Sequence, residues 1–172
     1  RYFTRRLEEL KVEVRLGTKA DADVLAEFDH VVLATGVVPR RPQIEGLDHP
    51  KVITYAEAIS GTKEIGDTVA IMGAGGIGFD VAEFVTTDKS PTLHLDEWNA
   101  EWGVTRQGDV PGFVTKPAPA PSTRSKVYML QRKSTPQGIG LGKTTGWVHR
   151  ATVKMKGVEQ LRGVNYEKVD DA

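Results

Sequence analysis

The sequence predicts an α/β fold, a parallel sheet flanked by helices, and three observations carry that prediction. Two short runs, Asp29–Ala34 and Thr68–Met72, are apolar and rich in β-branched residues without polar alternation, as strands buried on both faces are. The second leads straight into a glycine cluster and then into helical spacing, with Ile77, Val81, Ala82 and Val85 on one face. A third strand-like run, Lys126–Gln131, is again followed by a glycine-rich loop and a helical stretch.

Tyr2 to Leu10 spaces Phe3, Leu7 and Leu10 as one helix face. Val12–Leu16 alternates and stops at Gly17, the pattern of a short strand. Ala20 to Phe28 is polar and reads as a loop or hairpin. The Asp29–Ala34 strand ends at Thr35-Gly36, after which Pro39, Pro42 and Pro50 punctuate an extended connector. Tyr55–Ser60 suits one short helix. Residues 86–125 break the pattern: the segment holds Pro91, Pro111, Pro117, Pro119 and Pro121, and a helical pair of tryptophans at Trp98 and Trp102. After Lys126–Gln131, Thr144–Lys156 is predicted as a helix ended by Gly157. Two last strands are expected at Val158–Leu161 and Asn165–Val169.

Composition excludes several function classes. Lys plus Arg and Asp plus Glu stand at 23 each in 172 residues, with no dense basic patch, so nucleic-acid binding has no support. With no Cys, the chain holds no disulfide, no thiolate nucleophile and no Cys-ligated zinc or iron–sulfur site. The four His residues, at 30, 49, 94 and 149, lack metal-ligand spacing, and no metal site is expected. No run of about 20 apolar residues and no signal-peptide core is present, so no membrane association and a cytoplasmic location are expected. The N-terminus enters a helix part-way, and the C-terminus stops just after a strand-like run, which suggests a piece of a longer protein.

The chemistry concentrates at Gly73-Ala74-Gly75-Gly76-Ile77-Gly78, between a predicted strand and a predicted helix. That placement is the one a dinucleotide fingerprint requires. Gly73 would permit the tight turn, Gly75 the approach of a pyrophosphate, and Gly78 close helix–strand packing. The helix N-terminus adds free N–H groups and partial positive charge. A glycine-rich turn without a ligand is the competing explanation. An NAD site would carry an acid about 20 residues on, at the end of the second strand. That spacing falls inside the irregular 86–125 stretch. If the stretch is an insertion, the second strand is Lys126–Gln131, and it ends in Arg132-Lys133. Two cations there suit the 2′-phosphate of NADPH; a solvated basic turn is the alternative. Gln137–Thr144 departs from a phosphate-binding P-loop, since Gln stands where its first Gly is needed and no strand leads straight in.

The segment Phe28–Pro39, with its Ala34-Thr35-Gly36, resembles the strand end that closes the first part of the FAD domain in flavoproteins with two dinucleotide-binding domains. Ala74–Asp80, Met129–Lys133 and Gly140–Trp147 are similar to the bacterial NADPH-dependent 2,4-dienoyl-CoA reductases. The resemblance implies a Rossmann-type FAD/NAD(P)-binding fold. In it, residues 1–48 would be the end of the first part of the FAD domain. Residues 49–172 would be the NADPH domain, cut short at its C-terminus, with the insertion at about 86–125. It implies NADPH held by Gly73, Ala74, Gly75, Gly76, Ile77, Gly78, Arg132 and Lys133, with Ala34, Thr35, Gly36 and Trp147 toward FAD. Family members carry FMN and a 4Fe–4S cluster in a TIM barrel that reduces the acyl-CoA substrate; those parts would belong to the rest of the polypeptide. No catalytic acid or base is expected in this chain. The remaining alternatives are an NADH-dependent relative, of the NADH oxidase or trimethylamine dehydrogenase type, and a non-catalytic nucleotide-binding module.

Overall fold

The computed structural model describes residues 1–171, which form two compact units, Arg1–Val38 and the chain from Pro39 onward. The first unit holds helix α1 (Tyr2–Glu9) and a one-turn helix α2 (Ala22–Leu25). Asp21 caps α2, its side chain accepting from the Val24 N–H at 3.2 Å. The short strand expected at Val12–Leu16 is absent, and Ala20–Phe28 contains a helical turn. The buried strand expected at Asp29–Ala34 is also absent: the run is irregular, and Val32 and Leu33 are more than four-fifths exposed. A strand needs a ladder partner for its N–H and C=O groups, and no strand forms among the described residues of this unit.

The second unit begins with helix α3 (Tyr55–Ser60), which matches its predicted span. Its start is a capping box: Thr54 Oγ1 accepts from the Glu57 N–H at 3.2 Å, and the Glu57 carboxylate accepts from the Thr54 N–H at 2.8 Å. Strand β1 (Thr68–Met72), helix α4 (Gly76–Val85), helix α5 (Leu95–Trp102), strand β2 (Lys126–Gln131), helix α6 (Gly146–Met155) and strand β3 (Glu159–Arg162) follow. The three strands form one parallel sheet in the order β1-β2-β3. Register runs Thr68↔Lys126 to Met72↔Leu130, and Tyr128↔Glu159 to Gln131↔Arg162. The strand after the glycine turn in space is therefore Lys126–Gln131, and residues 86–125 are inserted between α4 and its neighbour.

The core lies where α4 and α6 pack on one face of the sheet. It joins Ile71, Val127 and Met129 from the strands, Phe79, Ala82 and Val85 from α4, and Val153 from α6. Phe79, Ala82, Met129 and Val153 are fully buried, whereas Ile77, counted on the apolar helix face by its spacing, is half exposed. β1 is covered on one face only: Ala70 and Met72 remain exposed.

The insertion returns to the sheet through specific ties. Thr123 donates to the Val85 carbonyl at 3.1 Å, and Ser125 donates both its N–H and its hydroxyl to Asp67. Ala118 N–H reaches the Ala100 carbonyl at 2.8 Å. Lys156, at the end of α6, is buried, with Nζ 3.0 Å from the Ala120 carbonyl and 3.6 Å from Glu101 of α5. Burying that charge is tolerable only because both partners are present.

The strand expected at Asn165–Val169 does not form. Gly163, at φ +70°, turns the chain across the end of β2, where the Gly163 and Val164 N–H groups donate to Lys133 and Gln131. The segment then makes one parallel bridge, Glu45↔Lys168.

Candidate functional site

β1 and β2 both end at the same edge of the sheet, and the chain beyond each end lines a cleft of about 930 Å³. A crevice outside the carboxyl ends of parallel strands is where open α/β sheets bind ligands. The glycine turn forms one wall. Gly73 stands at φ +122°, a conformation that disfavours any side chain, and its N–H donates to the Leu130 carbonyl of β2 at 3.0 Å. A Cβ on Gly78 would lie 2.1 Å from the Gly73 carbonyl oxygen, so this glycine lets the helix close on the turn. Gly75 differs: its φ of −87° suits any residue, and a Cβ there would meet nothing within 4 Å. The fold does not need a glycine at 75. Its bare backbone faces the cleft, where a side chain would occupy ligand space.

Gly75 is also the N-cap of α4, with no capping side chain and no acid in the first turn. The first helical bond is Phe79 N–H to the Gly75 carbonyl at 3.1 Å, so the earlier N–H groups are left for an external acceptor.

The lining residues include three cations, Arg40, Arg132 and Lys133, and no Asp or Glu. None of the three is paired with a carboxylate among the described residues; Arg41, next in sequence, turns to Asp48 at 3.2 Å. Tyr166 closes the far side, its hydroxyl donating to the Leu130 carbonyl at 3.0 Å. Burial raises the Tyr166 phenol above its ordinary value of 10, with Arg132 nearby working the other way.

Of the residues singled out in the sequence, Gly73, Ala74, Gly75, Gly76, Arg132 and Lys133 come together as cleft lining. Ile77 and Gly78 lie behind them in the first turn of α4. Trp147 lies in the first turn of α6 and packs edge-on to Trp102 of the insertion, with ring centroids 6.2 Å apart; it is not part of the cleft lining. Ala34, Thr35 and Gly36 lie in the other unit, in exposed, irregular backbone. Sequence reasoning missed Arg40, Asn165 and Tyr166, which reach the cleft from connecting segments without a motif. It also missed Gln137, a buried side chain whose Nε2 donates to the carbonyls of Met129 and Leu161 at 2.9 and 3.0 Å. Among the described residues no cluster of His, Asp and Glu could hold a metal ion, and no helix is long and apolar enough to cross a membrane.

A family model described as pyridine nucleotide-disulphide oxidoreductase matches residues 4–172. The chain is 38% identical over 78 residues to cinnamate reductase of Clostridium sporogenes, covering 44% of this chain and 11% of that protein. It is 36% identical over 87 residues to bilirubin reductase of Mediterraneibacter gnavus, covering 49% of this chain and 14% of that protein. The chain thus spans between a tenth and a fifth of the length of these relatives. The solved structure of a 2-naphthoyl-CoA reductase complex superposes with a TM-score of 0.66 at 23% identity, over 99% of this chain and 21% of that one, which shows a shared fold. The chain belongs to the pyridine nucleotide-disulphide oxidoreductase family: it is an FAD- and NAD(P)-binding oxidoreductase domain with an α/β, Rossmann-type fold.

Proposed function

We propose that this member of the pyridine nucleotide-disulphide oxidoreductase family is the NADPH-binding part of a flavoprotein that passes hydride from NADPH to FAD and so supports reduction of a 2,4-dienoyl-CoA. One observation carries the coenzyme choice: Arg132 and Lys133, at the end of the strand beside the glycine turn, line an acid-free cleft. In a chain of zero net charge, a cleft lining with three cations and no acid supports a ligand more anionic than a single pyrophosphate.

The residues present fit the coenzyme. The open Cβ position of Gly75 and the uncapped start of α4 would receive the pyrophosphate. Arg132 offers a planar fork of donors and Lys133 a point charge for the 2′-phosphate. Bound NADPH supplies the hydride and FAD accepts it. The chain's own part is to bind and orient: the glycine turn would receive the pyrophosphate at the strand ends, and Tyr166 and Leu141 line the cleft. No side chain here needs to move a proton.

The dienoyl-CoA substrate is supported by the similarity of Met129–Lys133 and Gly140–Trp147 to that family, and by relatives named for reducing cinnamate and bilirubin, both conjugated molecules. FMN and a 4Fe–4S cluster, with the acyl-CoA site, belong to the rest of the polypeptide on this reading; this chain has no Cys to ligate a cluster. The test is steady-state kinetics of the full-length protein carrying Arg132→Ala and Lys133→Ala together. The KM for NADPH rises by about 30-fold or more, as expected for losing two charge-assisted contacts, and the KM for NADH changes far less. Equal effects on the two coenzymes refute NADPH selectivity and leave an NADH-dependent relative. Absence of any reductase activity leaves a nucleotide-binding module.

A further inference from the structure

The end of the second strand is where a dinucleotide fold places the residue that reads the adenosine ribose, an acid when the coenzyme is NAD. Gln131 occupies that place: it is the last residue of β2 and lines the cleft. Its amide nitrogen is fully committed. Nε2 donates to the Lys133 carbonyl at 3.0 Å and to the Thr135 carbonyl at 2.8 Å. A primary amide has two N–H donors, and two carbonyl acceptors use both, which fixes which end of the amide faces the turn. The same turn is held from outside. The Lys133 carbonyl also accepts from the Gly163 N–H at 3.0 Å, and the Gln131 carbonyl accepts from the Val164 N–H at 3.2 Å.

We propose that Gln131 is the positioning residue for phosphate selectivity, its amide clamping the Lys133–Thr135 backbone so that Arg132 and Lys133 are held at the cleft. The inference rests on the NADPH reading of that cleft. Long cationic side chains lose freedom when they bind a phosphate, and a backbone already fixed leaves less to be ordered at that moment. A neutral side chain also stands where an acid would repel a second phosphate. A glutamate there could not donate, so it would set a carboxylate against two carbonyl oxygens and add a negative charge beside Arg132. Gln131 therefore serves both selectivity terms, attraction through its neighbours and absence of repulsion by itself.

The experiment is the ratio of kcat/KM for NADPH to that for NADH in the full-length protein, for Gln131→Met, a close match in shape, and for Gln131→Glu. The ratio falls about tenfold in the Met variant, the size of one net hydrogen-bonding contribution. It falls further in the Glu variant, while kcat at saturating NADPH is retained in the Met variant. A ratio unchanged within about twofold, or equal losses with both coenzymes, overturns the clamp. A cycle adds the discriminating readout: in an Arg132→Ala, Lys133→Ala background, Gln131→Met lowers the ratio no further if it acts through those two side chains. A further independent fall overturns it. If the Arg132/Lys133 variant shifts the ratio and the Gln131 variants do not, only the clamp fails. If the unaltered protein prefers NADH, the NADPH reading fails as well.

Discussion

Gly75→Ala and Gly78→Ala, three residues apart in the same motif, should separate ligand space from fold requirement. At Gly78 a Cβ would sit 2.1 Å from the Gly73 carbonyl oxygen and 3.0 Å from its carbon. Both are backbone atoms and cannot rotate aside, and an unstrained carbon–oxygen contact is about 3.3 Å or more, so turn and helix must part. Overpacking of this kind costs about 1–3 kcal/mol, against roughly 1 kcal/mol gained by replacing Gly with Ala inside a helix. The net loss lowers the unfolding midpoint by about 2–4 °C per kcal/mol for a domain of this size. At Gly75 no atom lies within 4 Å and φ is −87°. Losing glycine at an N-cap costs roughly 0.5–1 kcal/mol, and the smaller unfolded-state entropy returns about 0.4–1 kcal/mol. Stability should thus stay within about 0.5 kcal/mol of the parent. Yet the new methyl stands where the pyrophosphate, common to NADPH and NADH, must come. The KM for both coenzymes should rise at least about tenfold, 1.4 kcal/mol. Thermal unfolding and steady-state kinetics of the full-length protein read the two quantities. Normal coenzyme binding by Gly75→Ala would falsify the placement of the pyrophosphate above the turn; a large loss of stability in that variant would show that the fold, not the ligand, requires the glycine.

Two further changes probe the scaffold. Gln137→Leu removes the two amide donations to the Met129 and Leu161 carbonyls of β2 and β3; a stability loss of about 1–2 kcal/mol is expected in thermal melts, and no change would mean the two bonds are dispensable. Thr54 and then Lys63 lower the Glu57 carboxyl from its ordinary 4.5 to about 2. Because the folded value is depressed, the capping-box contribution is complete above pH 4.5 and is lost as pH falls toward 2. Glu57→Gln should flatten the stability–pH curve across that window and leave its alkaline side unchanged in slope; an identical acid limb in both proteins refutes the assignment.

The second unit was legible in the sequence because its elements are local. The short helix at Tyr55–Ser60, the strand–glycine–helix junction and the Lys126–Gln131 run each carry their own signal, and each forms as predicted, to within about two residues at the ends. In the first unit α1 formed as its spacing predicted, but the two expected strands were misread for a physical reason. Val12–Leu16 and Asp29–Ala34 have strand composition, but composition states only that a residue suits a sheet; the ladder has to come from other chain segments, and none forms in that unit. Asn165–Val169 failed the same way, since Gly163 steers the chain over the end of β2 instead of along β3. The cleft was half legible. The glycines and the Arg132-Lys133 pair are motifs at dictated positions. Arg40, Asn165 and Tyr166 arrive from connecting segments, where no periodicity links them to the strand ends they meet.

Net charge misleads most about this chain. Equal counts of cations and anions suggest a surface without preference, and they hide a sorting by position. Some cations elsewhere face carboxylates: Arg5 and Arg6 with Glu9, Arg15 with Glu13, Lys63 with Glu57, and buried Lys156 with Glu101. Exposed pairs of this kind contribute little to stability, typically below about 1 kcal/mol, but they remove cations from the field seen by a ligand. Arg40, Arg132 and Lys133 carry no carboxylate partner among the described residues and line one cleft with no acid in its lining. A concave, low-dielectric wall concentrates that potential. Three unpaired cations there, rather than the balance of the whole chain, are what a coenzyme with three phosphates would meet.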